Sequence, residues 1–209
     1  LNMKIIGFNA SPRFTGNGKV ISNKVLSMAR EKGFDTEFID LSTAHIKPCQ
    51  SCNYCKTHAG ICILDDDMQD IKRKITDCDA IILVAPIYFS QINAQATVFI
   101  NRLYSFFQTE YVQKYENGYV VSVNDFNDFE IINSDKLKNI KISIILTQGE
   151  KDTTDTEKYI ESGLFNQLNL LFDVKDVEIL PDNNEPGIVK DKKDQIEVIE
   201  KVAKNLITQ

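Results

Sequence analysis

Apolar runs alternate with amphipathic stretches along almost the whole chain. Lys4–Asn9 is a short β-type run, and a loop rich in Gly, Asn, Ser and Pro follows it through Gly18. Val20–Lys32 puts Val20, Ile21, Val25, Leu26 and Ala29 on one helical face, with Gly33 as a stop. Thr36–Leu41 predicts a second strand. Met68–Thr76 predicts a helix, and the acidic run Asp65–Asp67 before it suits a solvated helix start. Asp79–Ala85 is nearly all apolar, as a central parallel strand buried on both faces must be. The pattern continues with a helix over Ala94–Phe107, a strand over Lys141–Thr147 and a helix over Thr156–Phe172. A last strand, Val174–Leu180, precedes a closing helix over Asp191–Thr208. Five strands alternating with helices predict an α/β fold: a doubly wound five-stranded parallel sheet with helices on both faces.

One segment breaks the alternation. Residues 110–139 are rich in Tyr, Phe, Asn and Asp and stand where a short link would do, the mark of a functional or assembly element. With 209 residues and 43% hydrophobic content, the chain suits one domain over 1–209, carrying a cysteine loop at 45–66 and this insert at 110–139.

Charge narrows the partners. A net charge of −6 argues against a general nucleic-acid binder, which needs clustered Lys and Arg. The longest apolar run, Ala80–Phe89, is short and contains Pro86, so no membrane span is expected. Met3 reads as the natural start, after Leu1 and Asn2, and the first apolar stretch is too short for a secretory signal core. A cytoplasmic protein follows, in which thiols stay reduced. Five cysteines then read as metal or redox chemistry before they read as disulfides.

Two loops carry candidate binding chemistry. After the first strand come Ser11, Arg13, Thr15, Gly16, Asn17, Gly18 and Lys19, and then a helix. Small residues let backbone N–H groups converge on an anion at a helix N-terminus. Ser11, Thr15 and Asn17 offer side-chain donors, and Arg13 offers charge. A Walker loop is ruled out, because Val20 stands where Ser or Thr is required; a dinucleotide fingerprint lacks its third Gly, since position 21 is Ile. The plainer reading is an ordinary β–α turn. The second loop is Pro86-Ile87-Tyr88-Phe89-Ser90 at the end of the buried third strand. Open α/β sheets bind ligands beyond the carboxyl ends of their strands, at the switch point between the first and third, and two aromatics there can cover a flat ring.

Cys49-x2-Cys52-x2-Cys55-x6-Cys62 is the most specific pattern in the chain. Two three-residue steps let neighbouring thiolates reach adjacent corners of one cubane, and the fourth ligand closes it. Tetrahedral zinc, with His58 as an alternative ligand, and a Cys-x-x-Cys redox pair use the same residues. Cys78 lies apart, before the buried strand, and reads as a core residue. His45 reads as a loop residue.

These motifs together resemble the iron–sulfur flavoproteins and the NADPH-dependent FMN reductases, which are flavodoxin-like. The run Ser11-Pro12-Arg13 with Gly16-Asn17 is similar to their FMN phosphate loop, although Gly18 stands where relatives carry Thr, Ser or Cys. Pro86-Ile-Tyr-Phe is similar to their Pro-x-Tyr-aromatic signature, followed by Ala94-Gln and by Phe99-Ile-Asn-Arg102, where Asn101 replaces the usual Asp. The cysteine spacing continues, as in those families, into Cys62-Ile-Leu-Asp-Asp-Asp-Met68. The resemblance covers residues 4–105 well and the remainder loosely.

The resemblance implies an FMN oxidoreductase with a [4Fe–4S] cluster on Cys49, Cys52, Cys55 and Cys62, and NAD(P)H or an electron carrier as donor. It implies a third flavin contact at Thr147, Gln148 and Gly149, and no side chain as general acid or base. It also implies a homodimer or homotetramer in which the cluster of one subunit faces the flavin of another, with 110–139 as a candidate contact. A clusterless NAD(P)H-dependent FMN or quinone reductase and a passive flavodoxin-like carrier remain open alternatives.

Overall fold

The computed structural model describes residues 3–116 and 118–208. Leu1 and Asn2, on which the reading of Met3 as the start bears, lie outside them. Strand β1 (Lys4–Asn9) leads into α1 (Asn17–Glu31), β2 (Asp35–Asp40), the short α2 (Tyr54–Thr57) and α3 (Met68–Thr76). Next come β3 (Ala80–Tyr88), β4 (Gln91–Ile92) and α4 (Ala94–Arg102), whose end tightens into a 3-10 turn over Leu103–Phe106. After β5 (Phe107–Gln108), the insert holds β6 (Val112–Tyr115), β7 (Gly118–Val121), β8 (Glu130–Ile131) and α5 (Ser134–Leu137). The chain closes with β9 (Lys141–Thr147), α6 (Thr154–Tyr159), α7 (Asn166–Leu171), β10 (Asp173–Leu180) and α8 (Lys193–Ile207).

The five long strands are parallel, in the order β10-β9-β3-β1-β2. This is the flavodoxin-like order, with its switch point between β1 and β3. Both faces of the sheet are covered. Ile81 and Leu83 of β3 pack with Met68, Ile71 and Ile75 of α3 and with Phe99 of α4. Their neighbours Ile82 and Val84 point the other way, into Ile21, Val25 and Leu26 of α1 and Val202 and Leu206 of α8. That period-two split explains why β3 reads as an unbroken apolar run: each position has a buried side to face. Each such side chain contributes about 2 kcal/mol of burial.

Register brings the loops to one end. Asn9 lies beside Val84, Pro86 beside Thr147, and Thr147 beside Leu180. The segments after β1, β3, β9 and β10 therefore leave the sheet at the same edge.

Three expectations need correction. Strand β3 runs on through Pro86, Ile87 and Tyr88, because β9 still pairs with Pro86 and β4 folds back on Ile87 and Tyr88. The stretch expected as one helix over Thr156–Phe172 is broken at Gly163, whose φ of 94° turns the backbone left-handed. The helix expected to run to Phe107 stops being α-helical at Arg102, since Phe107 pairs with Ile131 of the insert. No helix among the described residues is long and apolar enough to cross a membrane.

Candidate functional site

A cavity of about 300 Å³ opens at the carboxyl edge of the sheet. Ser11, Arg13, Asn17 and Gly18 line it from the first loop, Pro86, Ile87, Tyr88 and Phe89 from the end of β3, and Thr147, Gln148 and Gly149 from the end of β9. Four residues expected at the site, Thr15, Gly16, Lys19 and Ser90, are not part of this lining. Glu150, which continues the loop after β9, lines it too, and so do Asn183 and Asn184, which the sequence did not single out. The edge rule that singled out the other loops applies equally to the segment after β10, so Asn183 and Asn184 were within its reach.

Asn9 shapes the first loop. Its buried side chain accepts a hydrogen bond from the Ser11 amide at 3.2 Å and turns the chain out of β1. Helix α1 then begins at Asn17 with no side-chain cap and no acidic residue in its first turn. Its positive end thus meets the cavity at Asn17 and Gly18. Lys19 turns away, its ammonium 4.2 Å from the centre of the exposed Phe14 ring.

Several polar side chains on the cavity wall hold the loops to each other. The Asn17 amide nitrogen donates to the carbonyls of Asn183 (3.1 Å) and Glu185 (2.9 Å), and its oxygen accepts from the Val189 amide at 3.0 Å. The Asn17 side chain is therefore a tie between loops, not the anion donor that the sequence suggested. Gln148 is occupied in the same way, donating to Glu150 and Asp152 carbonyls and accepting from Thr156. Arg13 donates to the Asn184 carbonyl at 2.8 Å, which fixes its guanidinium beside the cavity. Asn183 points inward: its side-chain nitrogen donates to the Leu180 and Pro181 carbonyls and to Gln195, and its oxygen is buried with no hydrogen-bond partner among the described residues.

The β3–β4 hairpin supplies the aromatic wall. Phe89 and Ser90 both lie in the left-handed region, with φ of 54° and 58°. A two-residue hairpin turn demands that conformation, and Asn-Gly ordinarily supplies it, so this turn is strained. The strain holds Phe89 fully exposed at the mouth, with Tyr88 partly exposed beside it.

The cysteines form a second centre. Cys49, Cys52, Cys55 and Cys62 all line one small cavity, together with Ile63, Leu64, Arg102 and Tyr104. All five cysteines are free thiols. Among the described residues no three His, Cys, Asp or Glu side chains converge as ligands of a single metal ion. Iron–sulfur clusters in general spread four thiolate ligands over several irons, so the absence of a single-ion site does not bear on them. His58 does not line this cavity; it stacks on Tyr54 with ring centres 3.5 Å apart. Cys78 is buried, and burial pushes its thiol up to about 12.

Charge around the cysteines is mostly cationic. Burial pushes the Lys56 and Lys72 ammonium groups down to about 8, and it pushes the Cys55 thiol up. Arg102 pairs with Asp66 through two contacts of 2.5 and 3.0 Å, both side chains almost wholly buried. Burial works against the Asp66 carboxylate, but hydrogen bonds from Arg102 and the Lys47 amide hold it below its ordinary value. Asp66 is thus a buried anchor, and the expectation of a solvated acidic triplet fails there. The insert leans on the same loop: Asn53 donates to the Tyr119 carbonyl at 3.0 Å, and Phe129 packs on Tyr104 and Phe107.

A parallel sheet in this strand order, with a loop-lined cavity at its switch point, is the flavodoxin-like fold. The sequence profile of the NADPH-dependent FMN reductases matches residues 3–124. The chain belongs to that family. An iron–sulfur flavoprotein of Methanocaldococcus jannaschii is 39% identical over 100 residues, covering 48% of this chain and 51% of the relative. One from Methanosarcina thermophila is 33% identical over 121 residues, covering 58% and 63%. The match thus spans about half to two thirds of these relatives' length. A solved NAD(P)H:quinone oxidoreductase from Methanothermobacter marburgensis superposes with a TM-score of 0.68 at 15% identity, covering 100% of this chain and 98% of that one. At that identity the likeness speaks for the fold.

FMN fits what the cavity offers: an uncapped helix end and Arg13 for an anionic tail, and exposed aromatics for a flat ring.

Proposed function

We propose that this chain, as one domain over 1–209, is a flavin-dependent oxidoreductase holding FMN in the switch-point cavity and a [4Fe–4S] cluster on Cys49, Cys52, Cys55 and Cys62. The observation that carries this reading is the meeting of three separate loops on one cavity against the uncapped start of α1. Bound there, flavin and cluster supply the two-electron and one-electron redox chemistry.

The residues supply binding. Amides at Asn17 and Gly18, the Ser11 hydroxyl and the Arg13 guanidinium meet the phosphate, whose charge the helix dipole favours. Thr15, Gly16 and Lys19 shape the turn; the Gly16 carbonyl accepts from the Lys19 amide at 3.2 Å. Pro86, Ile87, Tyr88 and Phe89 receive the ring, and Ser90 completes the hairpin that presents them. Thr147 and Gly149 face the ring's polar edge through their backbone. No side chain is assigned as general acid or base. NAD(P)H or an electron carrier is the donor, and a homodimer or homotetramer brings one copy's cysteine loop to another's cavity. The names of the archaeal relatives support the cluster.

The test is the absorption spectrum of protein purified without air, followed by NADPH. Flavin bands over a broad visible background, with bleaching of the flavin, support the full reading. Flavin bands that bleach without any background, even after iron and sulfide, reduce it to a clusterless reductase. A colourless protein that refuses FMN overturns it.

A further inference from the structure

Two ammonium groups stand close to the cysteine loop without lining the four-thiol cavity: Lys56 on the carbonyl of Tyr104, which does line it, and Lys72 in a neighbouring cavity that it shares with Cys62. Lys56 follows Cys55 on α2 and is 5% exposed. Its Nζ donates to the carbonyls of Tyr104 (2.6 Å) and Phe107 and stands 3.5 Å from the centre of the Tyr104 ring. Lys72, on α3, is half-buried, donates to the Gly60 carbonyl at 2.6 Å and lies 4.7 Å from the Phe106 ring centre. Among the described residues neither lysine takes part in an ion pair. Arg102 differs, because Asp66 neutralises it. The thiols of Cys55 and Cys49 favour the charged form of Lys56, and those of Cys55 and Cys62 favour that of Lys72, while Lys72 opposes Lys56 and Arg102 opposes Lys72.

A buried charge is costly unless an opposite charge meets it, and carbonyl dipoles and ring faces offset only part of that cost. Two such cations beside one four-cysteine loop call for an anionic centre in it. We propose that Lys56 and Lys72 are the countercharge of a four-thiolate cluster at Cys49, Cys52, Cys55 and Cys62, and that they raise its reduction potential. The proposal rests on the cluster reading given above. Four thiolates around a doubly positive cubane carry a net double negative charge, which the two ammoniums balance. Reduction adds one electron and one further negative charge, and a nearby cation favours the reduced form. The lysines touch neither flavin nor substrate and act on the cluster through its charge.

The experiment is a dithionite titration of the anaerobically reconstituted full chain, followed by electron paramagnetic resonance, with iron content measured in parallel. In iron-loaded Lys56→Gln and Lys72→Met, the oxidised-to-reduced ratio at a fixed potential should rise about tenfold, a downward shift of ~59 mV for one electron. Lys56→Arg and Lys72→Arg, which keep the charge, should stay within about threefold of the parent. Should Lys56→Gln fail to fold, the more exposed Lys72→Met carries the test alone. Iron-loaded neutral variants with an unmoved midpoint overturn the proposal and leave the cluster reading intact. A parent protein that binds FMN yet takes up no iron removes the cluster reading, and this proposal with it.

Discussion

The side-chain oxygen of Asn9 occupies the space that a β-carbon on residue 18 would need. Asn9 uses that oxygen to hold the Ser11 amide, so the first loop is built around the missing side chain of Gly18. This explains locally why glycine stands where the related families carry a hydroxyl or thiol residue.

Gly18→Thr should therefore push Asn9 aside and loosen the loop. FMN affinity, measured by quenching of flavin fluorescence, should fall at least tenfold. Asn9→Ala combined with Gly18→Thr should lose less than the sum of the single losses, because the two residues compete for one volume. Additive losses would refute the shared-space account.

Arg13 is anchored on the Asn184 carbonyl at the cavity edge. Arg13→Met should weaken FMN by roughly 10- to 100-fold, the range of a charge-assisted hydrogen bond of about 1.5–3 kcal/mol. Riboflavin, which lacks the phosphate, should bind the variant and the parent alike. An equal loss for both ligands would place Arg13 away from the phosphate.

Asp66 and Arg102 join the cysteine loop to α4 through a buried pair. Asp66→Asn leaves the guanidinium without its partner charge and should cost about 3–5 kcal/mol, seen as a lower midpoint in urea. Asp66→Leu with Arg102→Met should recover much of that loss, since it removes both charges.

Glu37 gives a pH signature remote from both centres. Burial alone would raise its carboxyl, but Lys4 (2.8 Å) and Lys74 (2.7 Å) outweigh it and hold the group below its ordinary value of 4.5. A carboxyl lowered in the folded state adds stability above its unfolded value and loses it as pH falls through the folded one. Glu37→Gln should cost about 0.5–1 kcal/mol at neutral pH, and the difference should fade on acidification below 4.5. A gap that persists in acid would mean that the contribution is not ionic.

The four clustered cysteines should be separable from the fifth. Cys55→Ser or Cys62→Ser should abolish any broad visible absorption after reconstitution while FMN still binds. Cys78→Ala should keep both spectra, because its thiol is buried in the core and donates to the Ile75 carbonyl.

The architecture was legible along the chain because its signals are local. β3 had to be apolar on both faces, and α1 had to repeat with the helical period, so element order and parallel topology followed from pattern alone. The switch-point rule then pointed to the right edge, and three of the four loops on the cavity stood in the expected places. What pattern could not reach was the use made of each polar side chain. Asn17 and Gln148 look like ligand donors in a motif, and they tie loops together in the fold because their partners lie far off in sequence. Asp66 looks like a solvated helix start, yet Arg102 draws it inside. The insert gave no periodic signal, since strands of two to four residues that lean on a neighbouring loop are too short to carry one. Periodicity records which face of an element is buried. Which distant hydrogen-bonding group or charge it meets is decided only when the chain is packed.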